Sequence, residues 1–247
     1  MSISKNKIAE IRRLHQKKFR EQEGLFIVEG NKSVIEVIRS DWEIVSLFSV
    51  PGWMAENTAI LPTFDHYEIS RSELERLSTL QTPQEVMAVV RKQTFDAKSI
   101  DQEQQLLVLD GIRNPGNMGT IIRTADWFGM RQILCNEDCV ELTNPKVIQA
   151  SMGSFLRVKV VYADIVSFLR QLPAKRNIYG TFMEGTSIRD IAFTNNDIVI
   201  IGNEGKGISE QVTPLITEKI TIPHTQKHQT ESLNASIAAA ILLYELK

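Results

Sequence analysis

The chain is 247 residues long and poor in cysteine, with only Cys135 and Cys139. Two cysteines make no disulfide framework, so the expected compartment is a reducing cytoplasm. Spaced Cys-x-x-x-Cys with no third partner, they also make a poor zinc site, and no metal is expected. No run of about 18 apolar residues occurs, so no membrane span is expected. The opening stretch MSISKNKIAEIRRLHQKKFR is basic but lacks an apolar core, which excludes a secretory signal. Gly-Lys-Ser/Thr and G-x-G-x-x-G are both missing, which argues against a P-loop and against a nicotinamide-dependent oxidoreductase.

What the chain does have is enough apolar residue, 43%, to bury a full core in one large domain or two modest ones. Its net charge of −2 hides an uneven distribution. Lys5, Lys7, Arg12, Arg13, Lys17, Lys18 and Arg20 lie within the first twenty residues against a single acid, Glu10. Such a cluster is the footprint of a protein that meets a phosphate backbone, although a solvated helix face has the same composition.

Strand-like and helix-like stretches alternate along the chain. GLFIVEG, EIVSLFSV, HYEIS and QEVMAVVRK read as strands, with NKSVIEVIRS and RSELERLSTL as helices between them, the second starting at Ser72. This predicts a small N-terminal α/β/α domain over residues 1–92. Residues 93–105, QTFDAKSIDQEQQ, are polar and aperiodic and read as a linker. From 106 to 247 the alternation is clearer: LLVLD, RQILCN, FLRVKVVYA, NIYGTFM, DIVIIGN and KITIP as strands, with helices at TIIRTADWFG, NPKVIQASMGS, DIVSFLRQL and the C-terminus. EQVTPLIT reads as an imperfect helix. Six strands with crossovers of this length predict a mainly parallel sheet, whose ligands sit beyond the carboxyl ends of the strands.

Three loops fall at those ends. In NPGNMGTIIRTA the glycines would let backbone N–H groups face an anion, with Arg123 returning from the following helix as a phosphate fork. In GNEGKGIS, glycines 202, 205 and 207 would let backbone press against a flat ligand, and Glu204 places a carboxylate at a strand end. The third, TIPHTQKHQTESLN, leads into the last helix. Ser232 is a good N-cap, Asn234 would sit in the first turn, and Ile237, Ala238, Ile241, Leu242 and Leu246 would form its buried face. An ordinary capped helix has the same entry.

In this order and spacing the three segments resemble the signature motifs of the SpoU/TrmH-type RNA ribose 2′-O-methyltransferases of the SPOUT superfamily: Asn117 with Arg123-Thr124-Ala125, then Gly202-Asn203-Glu204-Gly205-x-Gly207, then Ser232-Leu233-Asn234. SMGSFLRVKV (Ser151 to Val160) also fits, and KKFREQEGLFIVEG is similar to the substrate-binding domain that often precedes the catalytic one. The resemblance implies a C-terminal domain tied in a deep trefoil knot, S-adenosylmethionine as cofactor, RNA as partner with rRNA favoured over tRNA, and a homodimer with the site near the subunit boundary. Asn117, Arg123, Glu204, Ser232 and Asn234 would form the reaction site. Gly202, Ile222 and Leu233 would contact the cofactor, with Thr181 and Gly205 beside them. Arg12, Arg13, Lys17, Lys18 and Arg20 would bind RNA. One departure stands out: His224 to Glu231, between Ile222-Pro223 and Ser232, is about two residues longer than the family pattern and has no glycine. His224 and His228 in that loop do not make a metal site, and His15 and His66 read as surface residues. An RNA-binding protein that keeps the fold without catalysis is the alternative.

Overall fold

The computed structural model describes residues 3–57, 64–173, 176–224 and 232–246. The chain divides into two compact units, Met1–Gln93 with Thr143–Leu156, and Thr94–Leu142 with Arg157–Lys247.

In the first unit, α1 (Lys5–Arg13), α2 (Lys17–Glu23), β1 (Leu25–Glu29), α3 (Asn31–Ile38), β2 (Ile44–Ser49), α4 (Trp53–Asn57), β3 (Asp65–Glu68), α5 (Arg71–Leu77) and β4 (Val86–Arg91) follow in order. The strands form one sheet ordered β1-β4-β2-β3, in which only β2 and β3 pair in parallel. Helix α5 starts at Arg71, one residue before Ser72: Ser70 is its cap, and Glu73 returns the bond in a capping box worth about 1 kcal/mol. Ile8, Ile11 and Leu14 pack with Ile27, Phe48, Leu74 and Leu77 into one core. A second cluster sets Phe26, Trp42 and Phe155 edge to face at 5.5–6.0 Å. Phe155 explains why 143–156, distant in sequence, belongs to this unit. His15 and His66 are half-buried rather than free on the surface; His15 bonds the Leu77 carbonyl at 2.7 Å and His66 bonds the Ser49 hydroxyl at 2.9 Å.

The second unit runs β5 (Leu106–Asp110), α6 (Pro115–Trp127) and β6 (Gln132–Cys135). After α7 (Pro145–Ser151), which lies in the first unit, come β7 (Lys159–Tyr162), α8 (Ile165–Arg170), β8 (Ile178–Ser187), β9 (Ile198–Gly202), β10 (Glu218–Thr221) and α9 (Ala235–Glu245). The strands form one sheet ordered β10-β8-β9-β5-β6-β7, with every pairing parallel. Strands β5 and β6 are buried throughout, as their unbroken apolar runs require in a sheet covered on both faces. Residues 93–105 are more than a linker: Ile100 is core, with Phe95 and Ala97 packed beside it. EQVTPLIT contributes only a 3₁₀ turn at Thr213–Leu215.

The sheet order places the site. From β5 the chain winds outward through β6 to β7, whereas β9 flanks β5 on its other side. The loops after β5 and β9 therefore leave adjacent strand tips in opposite directions, which opens the crevice where such sheets take ligands.

Candidate functional site

The first segment is helix where a loop was expected. Asn114 caps α6, its Oδ1 accepting from the Gly116 and Asn117 N–H groups at 2.8 and 3.1 Å, and Pro115 takes the first position. Those N–H groups are thereby used by the cap, so the segment is not the glycine anion nest the sequence suggested. It presents the Asn117 side chain instead. Asn117 Nδ2 donates to Glu204 Oε1 at 2.6 Å.

Glu204 rides on a closed turn after β9. Asn203 and Gly207 exchange backbone bonds at 3.0 and 2.8 Å, and Asn203 Oδ1 accepts from the Gly205 and Lys206 N–H groups. Gly207 needs its positive φ of 69° to make the reversal. Gly202 is required for another reason: a Cβ there would run into the backbone of Gly207 and Ile208. The backbone that presses on Gly202 thus belongs to its own turn. Asn203 Nδ2 also donates to the Gly111 carbonyl at 2.7 Å, joining this turn to the loop after β5.

The third segment meets the other two through Asn234. It is the N-cap of α9, not a first-turn residue, and Ser232 lies outside the helix. Asn234 Oδ1 accepts from the Ser236 and Ile237 N–H groups at 2.9 and 3.4 Å, which leaves its Nδ2 to donate to Asn117 Oδ1 at 3.0 Å. The result is a directed chain, Asn234 to Asn117 to Glu204, drawn from all three segments. Of the expected buried face of α9, Leu242 and Leu246 are inside and Ala238 and Ile241 half-buried, whereas Ile237 is 52% exposed; Ala235, Ala239 and Leu243 complete the buried side.

Other expected site residues are placed differently. Arg123 is exposed on α6, six residues beyond Asn117 and so about 120° around the helix from it, and takes no part in this chain of bonds among the described residues. Ser232 and Gly205 are exposed, and Ile222 is half-buried just past β10. Leu233 is 47% exposed, and the Thr181 hydroxyl donates to the Ile200 carbonyl at 3.1 Å. Of the basic cluster, Arg12, Arg13, Lys17 and Lys18 are exposed, with the Arg13 guanidinium 4.1 Å from the centre of the Phe19 ring. Arg20 is a correction: it is 3% exposed and donates to the Leu14 carbonyl at 2.8 Å, pinning the α1–α2 corner instead of meeting RNA. The loop 225–231, with His228, lies outside the described residues.

Sequence reasoning quoted Asn203 within the second motif without a role and missed Asp110 and Asn136, polar residues at the tips of β5 and β6. For Asp110 the signal was present: a strand of four apolar residues ending in a lone carboxylate at a ligand-facing tip. The two cysteines lie nearby and are free and buried. Cys139 Sγ accepts from the Ile112 N–H at 3.2 Å, and the Cys135 thiol beside it holds it below the usual thiol range, while burial pushes Cys135 up.

A wholly parallel α/β unit with converging polar side chains at its switch point, together with a smaller α/β unit, defines a two-unit protein of the class that takes its ligand at the strand tips. The chain belongs to the SpoU rRNA methylase family, whose model matches residues 104–244. The MRM3-like substrate binding domain matches residues 5–88. The 23S rRNA (guanosine(2553)-2′-O)-methyltransferase RlmP of Bacillus subtilis (strain 168) is 28% identical over 248 residues, covering 100% of this chain and 98% of that protein. Among solved structures, a TrmH-family protein from Porphyromonas gingivalis reaches a TM-score of 0.90 at 35% identity, covering 100% of this chain and 99% of the other. An AdoMet-bound rRNA methyltransferase from Sinorhizobium meliloti reaches 0.88 at 28% identity, with 100% and 95% covered.

Proposed function

We propose that this chain transfers a methyl group from S-adenosylmethionine to a ribose 2′-hydroxyl of RNA, with ribosomal RNA as the substrate class. The observation that carries the reading is the Asn234–Asn117–Glu204 chain, which joins the three signature segments at the tips of β5 and β9. The relative from Bacillus subtilis, named for a ribose position of 23S rRNA, and the AdoMet-bound relative from Sinorhizobium meliloti support the substrate and the cofactor.

The residues fit the cofactor in kind. Gly202 keeps the turn close to its strand, and Ile222 and Leu233 offer apolar surface next to polar backbone. With Thr181 and Gly205 they would hold it. When bound, S-adenosylmethionine supplies a methyl group already activated on a positive sulfur. The protein's part is to align the hydroxyl and remove its proton. Glu204, oriented by Asn117 and Asn234, is the acceptor. Arg123 keeps its charge, as a guanidinium is a poor base, and it grips the neighbouring RNA phosphate and stabilises the developing alkoxide. Ser232 orients the ribose or the cofactor, and Arg12, Arg13, Lys17 and Lys18 hold the RNA backbone. The C-terminal trefoil knot, the homodimer and a cytoplasmic setting complete the reading. Support for the dimer comes from Trp127, 81% exposed, and Tyr244, 65% exposed, apolar surface on α6 and α9 that a partner would cover. Arg123 shares the exposed stripe of α6 with Trp127, which would put it at the subunit boundary.

The test maps 2′-O-methyl groups in total RNA from cells with and without the gene. One ribosomal ribose is expected to lose its methyl group, and an unchanged map would overturn the reading. Arg123→Ala is expected to abolish turnover and to weaken RNA binding by no more than the one phosphate contact it makes; intact turnover would remove it from the site.

A further inference from the structure

Both ends of the turn that carries Glu204 are tied to one buried place. At the front, Asn203 Nδ2 donates to the Gly111 carbonyl at 2.7 Å. At the rear, the Ser209 N–H donates to Asp110 Oδ2 at 2.7 Å. The other Asp110 oxygen accepts from Asn136 Nδ2 at 2.7 Å, and Asn136 Oδ1 accepts from the Gly111 N–H at 3.0 Å, closing a ring. Asp110 is 4% exposed, and the reaction described above uses neither it nor Asn136.

We infer that the Asp110–Asn136 pair is a positioning device for catalysis, holding Glu204 in place through Ser209 and Gly111; the inference rests on the methyltransferase reading. The polarity of the ring carries the argument. An ionised aspartate only accepts, so it takes the Ser209 N–H with one oxygen and the Asn136 amide with the other. That choice turns the Asn136 oxygen toward the Gly111 N–H, while the Gly111 carbonyl, an acceptor in any case, takes the Asn203 amide. Each bond determines the sense of the next, and the turn is clamped at residues 203 and 209 with Glu204 between. Buried networks of this kind are rigid when every member is satisfied and costly when one is not.

The same polarity supplies a test. In Asp110→Asn two amides meet, and flipping Asn136 only moves the donor–donor clash to the Gly111 N–H, so one bond is always lost. In Asn136→Asp two carboxylates meet; like charges raise the proton affinity of the pair, and one bound proton restores the missing donor. The titratable groups facing that position are Asp110 and Cys139, whose Sγ lies 3.3 Å from Asn136 Oδ1, with the Arg113–Asp138 ion pair at the surface of the same loops. The double variant Asp110→Asn/Asn136→Asp can keep every bond, because the new amide donates to the new carboxylate and still accepts from Ser209.

The full-length variants are compared in methyl transfer to ribosomal RNA, RNA affinity, melting temperature and amide hydrogen exchange at Gly205 to Ser209. Asp110→Asn is expected to lower kcat by about 100-fold, the cost of an ångström of misplacement, at unchanged RNA affinity. Asn136→Asp should do the same at neutral pH and recover as the pH falls. The double variant should return to within several-fold of the parent, and exchange across 205–209 should speed up in each single variant and slow again in the double. Equal exchange in all four proteins, or a double variant no more active than the singles at a matched melting temperature, would overturn the inference. A parent protein that methylates no RNA would sink the enzymatic reading alone, since the exchange rates decide the clamp by themselves.

Discussion

Replacing Asn234 separates stability from chemistry, because its two amide ends do different jobs. The oxygen caps α9, and the nitrogen donates to Asn117. Asn234→Ala removes both. Loss of a cap costs about 1 kcal/mol, and because Asn234 is exposed, water replaces the lost donor to Asn117, so the total stays near that figure. In a protein of this size that corresponds to a fall in Tm of roughly 2–4 °C. Asn234→Asp keeps the capping oxygen and adds a negative charge at the helix N-terminus, worth about 0.3–1 kcal/mol in the stabilising direction. It should melt no lower than the parent. Yet the Asn117 amide then lies between two carboxylates and can donate to only one, so Glu204 loses its defined orientation and kcat should fall by about 10–100-fold. Calorimetric melting and transfer of labelled methyl groups to ribosomal RNA measure the two effects. An Asn234→Asp protein with parental kcat would refute the role assigned to the chain, and an Asn234→Ala protein as stable as the parent would refute the cap.

Gly202→Ala should displace the Gly207–Ile208 backbone and abolish calorimetrically detectable binding of S-adenosylmethionine. Lys17→Ala/Lys18→Ala should reduce the salt dependence of RNA binding by one to two units in the log–log slope, while Arg20→Ala should lower Tm with little change in that slope. Burial lowers the proton affinity of folded His66 below its ordinary value of 6.5. The unfolded chain therefore binds the proton more readily, and stability should be full above about pH 6.5 and decline on acidification. His66→Asn should remove that part of the decline in melting temperature. Trp127→Glu/Tyr244→Glu should sediment as a monomer with a preserved melting curve if α6 and α9 form the dimer face; an unchanged dimer would place the interface elsewhere.

Strands were legible because a parallel sheet covered on both faces demands unbroken apolar runs, and Leu106 to Asp110 or Ile198 to Gly202 are such runs bounded by polar residues. The Asn-Pro pair was legible at Asn144-Pro145, a cap and first helical position. The same pair at Asn114-Pro115 was hidden by two glycines that favour a loop. A glycine costs a helix about 1 kcal/mol, and tertiary packing overrides that: Gly119 is buried on α6, against which α9 packs. At the last helix, Ser232 and Asn234 are equally good caps by local chemistry. Only Asn234 can also reach Asn117.

From its residues alone the chain declared a parallel α/β unit and a smaller unit before it, and the resemblance of three segments to signature motifs singled out Asn117, Glu204 and Asn234. Tertiary structure decided that Asn234 and Asn117, 117 positions apart, and Asn117 and Glu204, 87 apart, lie within one run of hydrogen bonds. It also decided that Arg20 turns inward and that Asp110 and Asn136 brace the turn at Glu204. The reason is that local propensity sets what each segment becomes, whereas which strand tips are neighbours depends on the order in which the strands pair, and that order is a property of the whole core.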